Sequence, residues 1–233
     1  MADRRSGQQF STERFKAFAD AVVAIAMTLL ILPLLESVSD AASKHVSTGE
    51  FLAEEWGQLF SFALSFLLIA NFWMEHHNQY TAVRAVTPML LWINIAWLAT
   101  IVWLPVPTAM LGQMDTDPLQ EVVYIGTLIL TQITTFAAKL YLLRHPDLTT
   151  APASRIRLDI AGDVASIILF AAALAIAVSI GGKGYFALLL LLLTGVFAKL
   201  LYRIWMRASP RQADDTVDEA SGDGEPEKPA TRG

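Results

Sequence analysis

The chain contains no cysteine. That excludes a disulfide framework, a thiolate metal site, an iron–sulfur cluster and a cysteine nucleophile. Charge is also scarce: 17% of the 233 residues are Asp, Glu, Lys or Arg, against about 25% in soluble domains. Nucleotide-binding and catalytic motifs are missing. There is no GxxxxGK[ST], no GxGxxG after a strand, no HExxH and no GxSxG. The TVGYG loop that builds a carbonyl-lined ion filter is absent too. His76 and His77 stand beside Glu75, but neighbours on a helix do not face one site, so no metal centre is expected there. His45 and His145 read as loop residues. The expectation is a non-enzyme with no cofactor, no resident metal and no nucleic-acid surface.

What the chain does have is apolar length. Hydrophobic residues make up 54% of it, and the mean hydropathy is +0.45. They gather into six runs, at about 14–35, 51–74, 86–111, 121–143, 158–180 and 185–206. At about 1.5 Å per residue each can cross a hydrocarbon core of about 30 Å. The first run is too long for a signal-peptide core and lacks a small-residue cleavage pattern, so it reads as a retained span. Pro33 is expected to close it, with a loop over Glu36 to Glu50. Pro105 is expected to kink or end the third run. Residues 75–84 read as a short polar link. Residues 1–12 form a polar lead, residues 13–207 the membrane domain, and 208–233 an acidic tail, expected to be disordered, that cannot bury a core.

Lysine and arginine order the spans. With the N-terminus in the cytoplasm, thirteen of those at the span ends and connections fall on the cytoplasmic side: Arg4, Arg5, Arg14 and Lys16; Arg84; Lys139, Arg144, Arg155 and Arg157; Lys199, Arg203, Arg207 and Arg211. Only Lys44 and Lys183 fall outside. The asymmetry predicts an all-α, multi-pass protein of the cell membrane, with six transmembrane helices and both termini cytoplasmic.

The first span carries the polar residues that stand out. Wound at about 100° per residue, Ile25, Leu29 and Leu32 lie within roughly 60° of one another, with Thr28 at the edge of the stripe. Asp20 lies roughly 140° from Ile25, on another face. Arg14 and Asp20 are roughly 120° apart and cannot pair along the helix. Asp20 is thus either a hydrogen-bonding anchor to a neighbouring helix or a proton or ion ligand. Trp73 and His77 are four apart at the end of the second span. Asp159 and Asp163 lie one turn apart at the head of the fifth, with Arg155 one turn before Asp159, and read as an i, i+4 ion pair and an interhelical hydrogen bond. Thr127, Thr131 and Thr134 share a face of the fourth and read as helix packing. From the residues alone, conduit and scaffold both remain open.

Several motifs go further. Arg14-Phe15-Lys16-Ala17-Phe18-Ala19-Asp20 resembles the RxxxFSD signature of the transmembrane protein 175 family of potassium channels. Ala24-Ile25 and Thr28-Leu29-Leu30 continue the likeness. So do Phe72-Trp73 with His76-His77, Leu91-Trp92-Ile93-Asn94, and Pro105-Val106-Pro107-Thr108-Ala109. These cover the first half of the chain. Ala19 departs from the pattern, because the family usually has Ser there.

The resemblance implies a homotetramer of single six-helix units in a lipid bilayer. The first helix of each subunit would line a central pore, with potassium as the permeant ion. Ile25 would be the main constriction, Leu29 and Leu32 further apolar rings, and Thr28 a polar layer. Arg14, Phe18, Asp20, Trp73, His77 and Asn94 would form the network that fixes the pore helix. The alternative is a proton-permeable channel, or a proton-coupled secondary transporter using Asp20 or Asp163.

Overall fold

The structure is a computed structural model that describes residues 12–115 and 117–180. Every long element is a helix. In order they are α1 (Thr12–Leu29), α2 (Leu32–Ser43), α3 (Thr48–Glu54), α4 (Trp56–Thr81), α5 (Pro88–Trp103), α6 (Pro105–Gln113), α7 (Pro118–Arg144) and α8 (Ala153–Ile180). Among the described residues there is no strand, only a single antiparallel bridge between Val83 and Thr149. Five stretches are long and apolar enough to cross a membrane: Thr12–Ser43, Trp56–Thr81, Pro88–Gln113, Pro118–Arg144 and Ala153–Ser179. The expected sixth span and the acidic tail lie outside the described residues, as does the polar lead before Thr12.

Helix bounds follow local chemistry. Pro33 lacks the N–H that would bond the Leu29 carbonyl, so the chain turns at Leu30 and Ile31. Ile31 N–H then donates to Thr28 O at 3.3 Å, and Leu35 N–H to Ile31 O at 3.1 Å, which restarts the helix. Proline is tolerated in a first helical turn, so Pro33 opens α2 rather than closing the span. The stretch expected to be a loop is therefore mostly helical, as α2 and α3. Pro105 acts in the same way between α5 and α6, where Leu104 N–H bonds Ile101 O at 3.2 Å. Thr87 caps α5 through Leu90 N–H at 3.3 Å, and Asp117 caps α7 through Gln120 N–H at 2.8 Å, each followed by proline. Ser47 and Glu50 form a capping box on α3. The Ser47 backbone N–H, helped by its hydroxyl, holds the Glu50 carboxyl below the ordinary carboxylate range. His45, at φ 54°, occupies the left-handed position that ends α2.

The core runs along the bundle. Ala19, Val23, Ala26 and Leu30 of the first span pack with Leu68, Ile69 and Phe72 of α4, Trp97 and Ile101 of α5, and Tyr124, Ile125 and Leu128 of α7. The small residues on this face let α1 sit close to its neighbours. Ala19, where the resembled family has Ser, is 1% exposed and surrounded by apolar side chains. Hydroxyls join the helices elsewhere. Thr108 Oγ1 donates to Ser65 Oγ at 2.8 Å, Ser65 and Tyr124 hydroxyls meet at 3.0 Å, and Thr131 donates to Thr100 at 2.9 Å. Thr131 thus performs the packing role that the threonine face suggested.

Gly112 marks a close approach between α4 and α6. A Cβ there would lie 2.9 Å from Gln58 Cγ and 3.0 Å from both Gln58 Cα and Ser61 Oγ. Backbone is among those contacts, so the helices must separate. Gly112→Ala is expected to cost about 1–3 kcal/mol, read as a lower thermal midpoint of the purified protein in detergent.

Candidate functional site

α1 has two opposed faces. Phe15, Ala19, Val23 and Ala26 are buried in the bundle. The opposite face is also apolar, yet open: Phe18 is 60% exposed, Ile25 59%, Leu29 39% and, past the turn, Leu32 47%. Phe18, Ile25 and Leu32 recur every seven residues, so they line up along one side. Thr28 is exposed beside them, and its Oγ1 donates to Ile25 O at 2.7 Å. Beyond Leu29, an open groove of about 420 Å³ runs between Leu29, Leu32 and Pro33 on one side and Pro105, Val106 and Met110 on the other.

Asp20 points away from the stripe. Its Oδ1 accepts a hydrogen bond from Trp73 Nε1 at 2.8 Å, which ties α1 to α4. The Trp73 and His77 rings lie 5.6 Å apart at 42°, so His77 supports the indole that holds Asp20. Of the expected network, Asp20, Trp73 and His77 come together. Phe18 instead lies on the open face. Asn94 joins a different group: its Oδ1 lies 2.6 Å from His76 Nε2 in the bundle interior. Arg14 is on the exposed side of α1.

The sequence reading missed two features. His76 is 5% exposed and stacked between Tyr80, at 4.4 Å, and Trp97, at 4.1 Å. Residues 75–84, expected to be a link, belong mostly to α4, which runs to Thr81. The second feature is a buried charge cluster. Lys139, counted above as a cytoplasmic charge, is buried; its Nζ lies 2.6 Å from Asp163 Oδ1 and 2.8 Å from Glu75 Oε1. Gln132 Nε2 donates to the same Asp163 Oδ1 at 2.9 Å. Asp163 therefore makes an interhelical hydrogen bond, to Gln132 and Lys139 of α7, as its place in the span suggested. One signal was available: an ionisable residue inside an apolar run needs a partner from another helix.

Residues Trp73 to His76 thus form a hub on α4. Trp73 reaches α1, Glu75 reaches α7 beside α8, and His76 reaches α5. The hub fixes the orientation of α1, and so which of its faces is left open.

Residues 14–105, which contain all but the first two residues of α1, the hub and its α5 partner, match the family model described as "Endosomal/lysosomal potassium channel TMEM175". This segment is TMEM175-like. A potassium channel of Streptomyces collinus is 34% identical over 100 residues, covering 43% of this chain and 47% of the relative. A potassium channel of Chamaesiphon minutus is 30% identical over 122 residues, covering 51% of this chain and 60% of the relative. The chain therefore spans about half the length of these curated relatives. The mouse endosomal/lysosomal proton channel TMEM175 is 31% identical over 152 residues, covering 61% of this chain and 30% of the relative.

The fold likeness extends further than the sequence match. The crystal structure of a lysosomal potassium-selective channel TMEM175 homolog from Chamaesiphon minutus aligns with a TM-score of 0.57 at 21% identity, covering 81% of this chain and 96% of that one. The chain has the TMEM175 fold and is a multi-pass membrane protein.

Proposed function

We propose that the protein is a potassium-selective channel whose pore is lined by α1 from four copies of the chain. The open apolar face of α1 carries this reading. A membrane helix seated by an Asp–Trp bond on one side, with bulky apolar side chains at heptad spacing on the other, is suited to converge on its symmetry mates. Ile25 forms the narrowest ring, and Leu29 and Leu32 form the rings that follow. Such a neck blocks ions by dewetting when narrow and admits potassium with partial loss of hydration when wider. Thr28 adds a polar layer. Its proton is already given to Ile25 O, so its remaining lone pairs can only accept, which suits a cation. Asp20, Trp73 and His77 hold the pore helix, and Arg14 belongs to the same support. Both termini lie in the cytoplasm, and a sixth span follows α8. The protein is a passive conduit rather than an enzyme.

The test is potassium flux into liposomes containing the purified full chain, compared with sodium flux. Ile25→Asn, which makes the neck polar, is expected to raise potassium flux and erode the preference over sodium. Unchanged flux and selectivity would remove Ile25 from the gate.

A second reading is proton permeation through the same pore, favoured by the mouse relative's name as a proton channel. Acidification of the vesicle lumen under a proton gradient, at constant potassium, separates the two. A proton-coupled transporter would need Asp20 or Asp163 to exchange partners during each cycle. Both are held by other helices, Asp20 by Trp73 and Asp163 by Lys139 and Gln132.

A further inference from the structure

A small cavity lies in the bundle interior where α4, α5 and α7 meet. Its volume is about 10 Å³, and its walls include His76 and Gln79 of α4, Asn94 and Trp97 of α5, and Thr134 and Thr135 of α7. These walls are held in place. His76 stacks on the Trp97 ring at 4.1 Å, and its Nε2 lies 2.6 Å from Asn94 Oδ1. Trp97 and Asn94 are both buried, as is Thr135. No described residue of α1 lines the cavity, so it is separate from the open apolar stripe.

The wall residues do not satisfy one another. Trp97 Nε1 and Gln79 Nε2 are buried and have no hydrogen-bond partner among the described residues. Both atoms can only donate. A buried donor left unmet is costly, and native proteins rarely tolerate one. The two threonines are the complement. Thr134 Oγ1 and Thr135 Oγ1 each donate to Thr131 O, at 2.8 and 3.1 Å. Their protons are committed there, so their remaining lone pairs can only accept. The wall thus combines two donors, from α4 and α5, with two acceptors from α7.

We propose that this cavity binds a single water molecule, which bolts α4 and α5 to α7. Water accepts two hydrogen bonds and donates two, and a buried water needs two to four polar partners. The wall supplies that set: the water accepts from Trp97 and Gln79 and donates to Thr134 and Thr135. Size agrees as well. One water needs about 10–15 Å³, so the cavity takes nothing larger. A cation fits badly, because both N–H groups present their positive ends to it. A halide would suit those donors but not the threonine oxygens, whose protons go to Thr131 O. The proposal does not depend on the channel reading, since it concerns how three helices are joined and not ion flux.

The test is nuclear magnetic resonance of the full chain in lipid, with nitrogen-15 in the tryptophan indoles. The chain has six tryptophans, and Trp97→Phe identifies the Trp97 signal by its loss. The Trp97 N–H is expected to show a cross-peak to a long-lived water. Thr135→Val keeps the side-chain shape and removes one acceptor, so the cross-peak should fall at least twofold. Thr127→Val removes a hydroxyl outside the cavity and should leave it unchanged. A second readout is density fine enough to show other buried waters. It should contain one peak at hydrogen-bond distance, about 2.7–3.2 Å, from Trp97 Nε1. A wild-type protein with neither cross-peak nor density peak would overturn the proposal. So would a cross-peak indifferent to Thr135→Val, or a density peak that appears only when bromide is supplied. The wild-type measurements decide even if a variant fails to fold.

Discussion

Lys139→Met is expected to lower the stability of the folded protein by about 3–5 kcal/mol, the usual result of removing one partner from a buried ion pair. Methionine fills a similar volume, so the loss reports charge rather than a cavity. Two contacts disappear together, at 2.6 Å to Asp163 and 2.8 Å to Glu75. What remains is a pair of neighbouring carboxyl groups that have lost this ammonium. The measurement is the midpoint of thermal unfolding in detergent, compared with Lys16→Met. Among the described residues Lys16 bonds across one helical turn, at 3.3 Å to a Glu13 carboxylate that is 85% exposed. Such surface pairs contribute about 1 kcal/mol or less, so the control should hardly move. Equal midpoints for the two variants would mean that Lys139 is hydrated in the native protein.

The second large effect concerns the seat of α1. Asp20→Ala removes the carboxylate that accepts the Trp73 indole N–H at 2.8 Å. Hydrogen bonds to charged groups contribute about 1.5–3 kcal/mol, and the indole N–H is left with no acceptor in a part-buried site. Its consequence differs from that of Ile25→Asn. Asp20 faces inward, so the variant should give less folded, assembled protein, while the molecules that do assemble keep their ion preference. Arg14→Ala is expected to behave alike. Detergent chromatography gives the assembled fraction, and liposome flux gives the preference. Normal assembly with altered preference would place Asp20 on the ion path.

Much of this could be read from the sequence. Five of the six expected spans are present as long apolar helices, because span length and hydropathy are local properties of the chain. The two opposed faces of α1 also followed from angular spacing alone: Ile25, Leu29 and Leu32 are open, and Asp20 is turned inward. Errors arose where a local signal had two meanings. Pro33 was expected to end a helix but opens the next one, since only the fate of the Leu29 carbonyl separates those outcomes. Residues Glu75 to Thr81 are polar enough to resemble a link, yet they continue α4, and His76 and Tyr80 among them are buried against other helices. Lys139 and Asp163 are 24 residues apart, and their pairing depends on how α7 and α8 meet. The sequence suggested an interhelical hydrogen bond at this site, but which helix and which residue would supply it only tertiary packing decides.

Because the chain has no cysteine, a single introduced thiol is unique, and this gives the most direct test of the central claim. Ile25→Cys and Leu67→Cys place a thiol at positions that are 59% and 58% exposed in one chain, on α1 and α4 respectively. Potassium flux through liposomes would be recorded before and after a small, charged, water-soluble thiol reagent. With α1 lining the pore, the reagent changes flux strongly at Ile25→Cys and leaves Leu67→Cys unaffected. Flux that responds at Leu67→Cys and not at Ile25→Cys would contradict a conduction path along α1.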